Sequence, residues 1–317
     1  MIIVRVPLRI PILGGGTDLP SFYEKFGSTF VSGAINKYIY ITLHRSGFDP
    51  RVRARYSVME EVDSVDELKN EILRETLKLH GVKDNVEITS HAEVPSGTGL
   101  GSSVSFGVGV SQAIRGGGSK LELAEEATSI QIKLFPIGNH DQYAAAFGGV
   151  NVYEVSREGK VEVEALQVDV NVLKQRLALF YTGYKRDANE ILATQKEKSV
   201  SEDNEMIIAL QETQEIGLEQ LKSLKRGNFD MYGKLLNAHW EAKKKRSPIM
   251  TNKEINKWYK LGLKNGALGG KLIGAGGGGF LMFYTSDPRS LIKAMPLKHM
   301  DFDWDFQGSK ILINDIH

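Results

Sequence analysis

The chain has 317 residues, 41% of them hydrophobic and 25% charged, with a formal net charge of +1 and no cysteine. That length supports one large core or two lobes, and the near-neutral balance gives no sign of a nucleic-acid grip or a membrane surface. Without cysteine, disulfides, thiolate nucleophiles and cysteine-held metals are excluded, which fits a cytoplasmic setting.

The opening stretch MIIVRVPLRIP is apolar only briefly before Arg5, Pro7 and Arg9, too short for a signal peptide. No apolar run approaches the ~20 residues that span a bilayer. Ile2–Val6 and Asn36–His44 are rich in β-branched and aromatic residues and read as strands, and Val52–Ser57 alternates like a half-exposed strand. Val65–His80 carries Leu68, Ile72, Leu73, Leu77 and Leu79 at helical spacing. The strand Val86–Thr89 leads into a glycine turn, Pro95–Gly101, and then into a small-residue helix, Ser102–Ile114. Gly149–Val155 and Lys160–Leu166 form an expected hairpin, and Ala178–Tyr181 a short strand. Helical patterns cover Asp187–Lys198, Glu202–Leu224, Asn228–Lys245 and Thr251–Asn265, and Lys271–Ile273 and Phe280–Tyr284 read as strands. The charge run Lys243–Arg246 reads as a solvated helix end. A soft boundary near 165–185 divides the chain into units of 1–175 and 176–317.

Three segments concentrate glycine: LRIPILGGGTDLP (Leu8–Pro20), EVPSGTGLGSSVS (Glu93–Ser105) and GGKLIGAGGGGFLMFY (Gly269–Tyr284). Glycine is costly in chain entropy, so such clusters serve positive φ or close backbone approach, and three together point to a bound phosphate or nucleotide. The middle one runs from a strand through Gly97, Gly99 and Gly101 to Ser102 and Ser103 at a helix start. There, free N–H groups and the helix dipole favour an anion, and a serine hydroxyl can ligate Mg²⁺. A tight turn packed by small residues is the competing reading. It is no Walker A loop, since no lysine followed by Ser or Thr ends the run. Gly274, Gly276 and Gly279 fit G-x-G-x-x-G, but they lead into a strand and not a helix, which rejects a Rossmann fingerprint.

The seven histidines contain no H-E-x-x-H, and Asp305-Phe306-Gln307-Gly308 is not D-F-G. His140 reads as a structural histidine. Asp18 and Asp141, each set among small residues, are candidates for a base or hydroxyl orienter, although either residue type also caps turns and helices.

Together the three segments resemble the GHMP kinases, named for galactokinase, homoserine kinase, mevalonate kinase and phosphomevalonate kinase. Within them, RVPLRIPILGGGTDLPSFY, DQYAAAFGGVNVYE, FYTGYKRDANEIL and ALGGKLIGAGGGGFLMFY resemble the D-glycero-D-manno-heptose 7-phosphate kinases, in family order over nearly the whole chain. The resemblance implies an α+β fold of two lobes. An amino-terminal ATP-binding lobe would carry a left-handed β-α-β unit, and a ferredoxin-like carboxy-terminal lobe would close over the substrate. It implies ATP and Mg²⁺, and transfer of the γ-phosphoryl to a sugar hydroxyl such as C1 of the heptose phosphate. It places ATP on Pro95, Gly97, Thr98, Gly99, Leu100, Gly101, Ser102 and Ser103. Asp141 would face the acceptor hydroxyl, and Arg9 would hold that carboxylate ionised. Gly15, Gly16, Thr17, Asp18, Arg186, Gly276 and Gly277 would lie near the substrate. Arg51, Arg53 and Arg55 are weaker candidates for its phosphate. Ser103 would touch Mg²⁺, and Gln131 stands where many members carry a Mg²⁺-binding glutamate. The partner expected is a small sugar or sugar phosphate, with no nucleic acid or membrane, and a homodimer is left open. Rival readings are a same-fold kinase for fucose, galactose or a mevalonate phosphate, and a non-catalytic sensor of nucleotide and sugar.

Overall fold

The computed structural model describes residues 1–185 and 204–315. β1 (Ile2–Leu13) and β2 (Ser28–His44) pair antiparallel along most of their length. Val, Ile, Leu, Tyr and Thr dominate them, side chains that pack well on a pleated surface. β2 is the trunk of an eight-stranded sheet. Its second half pairs with β5 (Val86–Ala92) and its first half with β6 (Val150–Val155). β3 (Val52–Arg55) and β4 (Met59–Val62) extend the sheet past β5, and β7 (Val161–Ala165) extends it past β6. α1 (Pro20–Phe26) fills the β1–β2 connection, and α2 (Glu71–Leu79) the crossover between the parallel strands β3 and β5.

α3 (Ser102–Arg115) packs on β1 and β2, flanked by α4 (Lys120–Leu134) and α5 (Asp141–Phe147). Gly109 lets α3 approach closely, because Val6 and Ile41 occupy the space a Cβ would need. Val4, Val6, Ile41, Val108, Val110 and Leu123 form part of the core on this face.

After α6 (Val170–Arg176) the chain builds a second sheet from β8 (Leu177–Tyr181), β9 (Ala267–Leu272), β10 (Phe280–Thr285) and β11 (Lys298–Met300). Its order, β11-β8-β10-β9 with every pair antiparallel, is that of a ferredoxin-like lobe. α7 (Asn204–Lys225), α8 (Phe229–Lys245) and α9 (Lys253–Lys264) lie between β8 and β9, and α10 (Pro288–Ala294) lies between β10 and β11. The strand period of two sorts side chains to both faces. Leu177, Leu179, Met282 and Tyr284 meet Leu8, Ile10 and Val31 of the first sheet's strands, while Ala178, Phe180, Leu281 and Phe283 join Trp240 and Ile255 in a third cluster.

Several expectations change. β2 begins at Ser28, eight residues before the apolar run that marks it, and two helices, α4 and α5, occupy 120–147 where no element is expected. The helix expected over Val65–His80 splits into a short 3₁₀ turn, Val65–Glu67, and α2. The expected helix Asp187–Lys198 lies outside the described residues. The 175/176 division falls in the last turn of α6, one residue before β8, and the chain's end returns to the first sheet. Trp304 bridges Ile35, and β12 (Lys310–Asn314) pairs with β1.

Trp304 is 6% exposed, its ring lies over Gly33, and its Nε1 donates to the Val170 carbonyl at 2.9 Å. This anchor ties the returning segment to β2. Trp304→Ala is expected to cost about 3–5 kcal/mol in chemical denaturation; a loss under about 1 kcal/mol would show that the segment is held elsewhere.

Candidate active site

An irregularity in β1–β2 pairing between Pro7 and Leu8 sets the site. In an unbroken strand residues 6 and 9 face opposite sides. Here Val6 lies against Gly109 of α3 and Arg9 against Gly101 at the start of that helix, while Leu8 and Ile10 go to the core between the sheets. Such irregularities re-aim side chains.

The re-aimed Arg9 grips Asp141, the first residue of α5. Its Nε donates to Oδ1 at 2.5 Å, its Nη2 donates to Oδ2, and its Nη1 reaches the Gly99 carbonyl at 2.7 Å. One guanidinium therefore joins a strand, a helix and the middle glycine loop, and the Arg9 amide donates to the Leu100 carbonyl as well, at 3.0 Å.

His140 bridges the two candidate carboxylates, with Nδ1 2.9 Å from Asp18 Oδ2 and Nε2 3.0 Å from Asp141 Oδ1. A neutral imidazole carries one N–H, so donating to both requires the imidazolium. Burial pushes His140 down, but the charges of Asp141 and Asp18 overcome it and raise it to about 9. Asp141 moves oppositely: burial would raise it, but Arg9 and His140 hold it far below the usual carboxylate range. With Arg9 and His140 both on Oδ1, Asp141 keeps an open lone pair on Oδ2. His140 thus sits at the centre of the site, where its sequence context suggests a structural residue. The missed signal is its position between Asn139 and Asp141, which the sequence cannot connect to Asp18.

Gly97, Gly99 and Gly101 have φ of +73°, +83° and +79°. A Cβ on Gly99 would stand 2.6 Å from the Ile273 carbonyl oxygen, so the second and third glycine segments close on each other. α3 starts at Gly101 with no side-chain cap, and Ser102 and Ser103 line the cavity at its first turn. Open amides at a helix start suit phosphate oxygens.

That cavity gathers Arg9, Gly15, Gly16, Asp18, Gly97, Gly99, Gly101, Ser102, Ser103 and Asp141. Other expected residues support its walls. The Thr98 hydroxyl donates to the Pro95 carbonyl, Thr17 accepts from Ser28, and Gly276 and Gly277 pack on Met250. Arg186 lies outside the described residues. Arg51 and Arg53 pair with Asp49 and Glu61, and Arg55 with Glu87, on the surface of β3 and away from the cavity.

Two expectations are corrected. Gln131 is buried beneath Gly107, its Oε1 accepts from Gln142 at 3.3 Å, and it does not line the cavity. The helix period turns it into the α4–α5 contact. The run Lys243–Arg246 is not uniformly solvated. Lys244 and Lys245 pair outward with Glu241 and Glu212, while Lys243 in the last turn of α8 and Arg246 just past its end, three residues apart, point inward and line the cavity with Lys271 and His239.

The uncapped start of α3 beside Arg9 fits a triphosphate. For Mg²⁺ the chain would offer the Ser103 hydroxyl, which lines the cavity, and among the described residues no group of three His, Asp or Glu side chains forms a metal site. This fits a metal held largely by phosphate oxygens and water, as Mg²⁺ commonly is.

Comparison with known proteins gives the family. The GHMP kinases N terminal domain matches residues 66–149 and the GHMP kinases C terminal domain residues 220–300. The chain belongs to the GHMP kinases. It is a phosphotransferase with an alcohol group as acceptor, in a family whose phosphate donor is ATP. It is 29% identical to a D-glycero-alpha-D-manno-heptose 7-phosphate kinase of Campylobacter jejuni, over 96% of each chain. It is 24% identical to a galactokinase of Pyrococcus furiosus, over 88% of this chain and 87% of that one. A crystal structure of a D-glycero-D-manno-heptose 1-phosphate kinase from Bacteroides thetaiotaomicron superimposes with a TM-score of 0.77, at 21% identity over 99% of both chains, a likeness of fold. Among the described residues no helix is long and apolar enough to cross a membrane.

Gly99→Val is expected to separate the two glycine loops and abolish nucleotide binding in a folded variant; unchanged ATP affinity by calorimetry would remove the loop from the nucleotide site. The His140 bridge has a pH signature. Its raised pKa contributes stability in full below the ordinary value of 6.5, and that contribution is lost as pH rises through about 9. The stability gap between wild type and His140→Gln should therefore shrink by about 1–3 kcal/mol between pH 6 and 9.5 in urea denaturation. A pH-independent gap would mean that His140 is neutral throughout.

Proposed function

We propose that this chain transfers the γ-phosphoryl group of ATP to a sugar, and that its acceptor is the C1 hydroxyl of D-glycero-D-manno-heptose 7-phosphate, yielding the 1,7-bisphosphate. The observation that carries the transfer is the Arg9–Asp141 pair, with one carboxylate lone pair open, in the same cavity as the uncapped start of α3. The likeness to the Campylobacter jejuni kinase along almost the whole chain supports the heptose, and the likeness to a galactokinase supports a sugar in general. A cytoplasmic setting belongs to the same reading, since it supplies ATP.

Phosphoryl transfer depends on placement and on neutralising the moving group's charge. In this reading, the amides at Ser102 and Ser103 hold the donor's phosphates. Mg²⁺ bound with the triphosphate would add neutralising charge, with Ser103 as the chain's own contact. The acceptor hydroxyl donates to the open lone pair of Asp141 Oδ2, which aims its oxygen at phosphorus. The new O–P bond forms as the bond to the β-phosphate oxygen breaks, and ADP leaves. Asp141 is a weak base next to Arg9 and His140, so it takes the proton late, once the attacking oxygen has lost electron density.

A panel of heptose 7-phosphate, fucose, galactose and phosphomevalonate with Mg·ATP, scored by ADP release, tests this reading. Heptose 7-phosphate should give the highest kcat/KM, and preference for another acceptor would overturn the heptose assignment. No turnover with any of them would favour a sensor. Asp141→Asn keeps the size but loses the proton acceptor, so turnover should fall by about 10²–10⁴-fold with ATP binding retained.

A further inference from the structure

Three cations line the cavity without a carboxylate to match them. Lys243 on α8 donates to the carbonyls of Leu272, at 2.9 Å, and Gly274, at 2.5 Å. Lys271 on β9 donates to the Ile12 carbonyl at 3.2 Å, and Arg246 donates to the Gly15 carbonyl at 2.7 Å and to the Thr213 hydroxyl at 2.5 Å. They are 7%, 1% and 2% exposed, and none forms a salt bridge among the described residues. A lysine ammonium has three donors, so among the described residues Lys271 has two left, and Arg246 Nε is buried with no acceptor there. Buried charges left this way are costly unless a ligand matches them.

We propose that Lys243, Arg246 and Lys271 form the subsite for a phosphate monoester on the acceptor. This rests on the sugar-kinase reading above and adds to it the groups that select a phosphorylated sugar. Lys243 holds the third glycine segment at Leu272 and Gly274, and Lys271 and Arg246 hold the backbone of the first at Ile12 and Gly15, on the side of Asp18. From there His140 leads to Asp141, so an acceptor can place its phosphate on the cations and its hydroxyl on the carboxylate. The start of α3 and Arg9 already serve the donor's phosphates. Burial and the neighbouring cations Arg246 and Arg9 lower Lys271 to about 7, and burial lowers Arg246 to about 10, with Asp18 opposing.

Calorimetry with four probes separates the sources of phosphate: heptose 7-phosphate, unphosphorylated heptose, inorganic phosphate and ATP. Wild type should bind heptose 7-phosphate at least about tenfold more tightly than heptose. Lys271→Met and Arg246→Gln should each erase most of that ratio while changing ATP affinity less than about twofold. Without ligand, Lys271→Met should unfold at or above the wild-type temperature, because an unmatched buried charge has gone; a purely structural lysine would lower it. An equal loss of ATP affinity would assign the cations to the donor and overturn the proposal, as would wild type binding heptose and its phosphate equally. Should wild type bind neither heptose, thermal protection by inorganic phosphate that Lys271→Met abolishes would keep the anion subsite and discard the heptose. No protection by phosphate would sink both. If either variant fails to fold, the wild-type ratio still decides.

Discussion

The bidentate grip of Arg9 on Asp141 is the contact around which the rest of the site is arranged. It joins β1 to the start of α5, and its third arm fixes the Gly99 carbonyl, so α5 and the middle glycine loop share one guanidinium. Such a pair is expensive to bury, and it is stable here because nearly every donor and acceptor is used. The rigid fork of arginine suits it to this geometry; a lysine could offer neither the bidentate contact nor the third direction.

Charge balance then explains the polar interior. Among the described residues, Asp18 and Asp141 are the carboxylates lining the cavity, and Arg9 and His140 already match them. Lys243, Arg246 and Lys271 are an excess of positive charge in a buried place, in a chain whose overall charge is only +1. The protein tolerates this by spreading the cations over backbone carbonyls, which relieve the desolvation cost without cancelling the charge. That excess of positive charge is what a phosphate monoester on the acceptor would match in the subsite proposed above.

Glycine makes the closeness possible. Gly99 and Gly274 have positive φ, and each lies where a side chain on the other would collide, so the loops of the two sheets meet backbone to backbone. Gly109 similarly brings α3 down on Val6 and Ile41, which sets the depth at which the helix start faces Arg9.

Much of this was legible in the residues. The three glycine segments, the serines at the start of α3, and Arg9, Asp18 and Asp141 are local patterns, because positive φ, helix entry and the isolation of a charge among small residues are short-range properties. Strands in β8 and β10 showed themselves by composition, since a strand buried on both faces is apolar throughout. What the sequence could not settle were matters of phase and return. Lys243 and Arg246 look like their solvated neighbours until the packing of α8 fixes which side faces inward. Gln131 occupies a metal-ligand position in the resemblance, but the meeting of α4 with α5 turns it to Gln142. The early start of β2 rests on the pairing of Ser28–Gly33 with Val150–Val155, a ladder between segments far apart along the chain. The union of Asp18, His140 and Asp141 likewise exists only once β1, its connection and α5 are packed together. Sequence determined which residues have the chemistry; tertiary structure decided which of them share a cavity, because burial and charge pairing depend on neighbours that are distant along the chain.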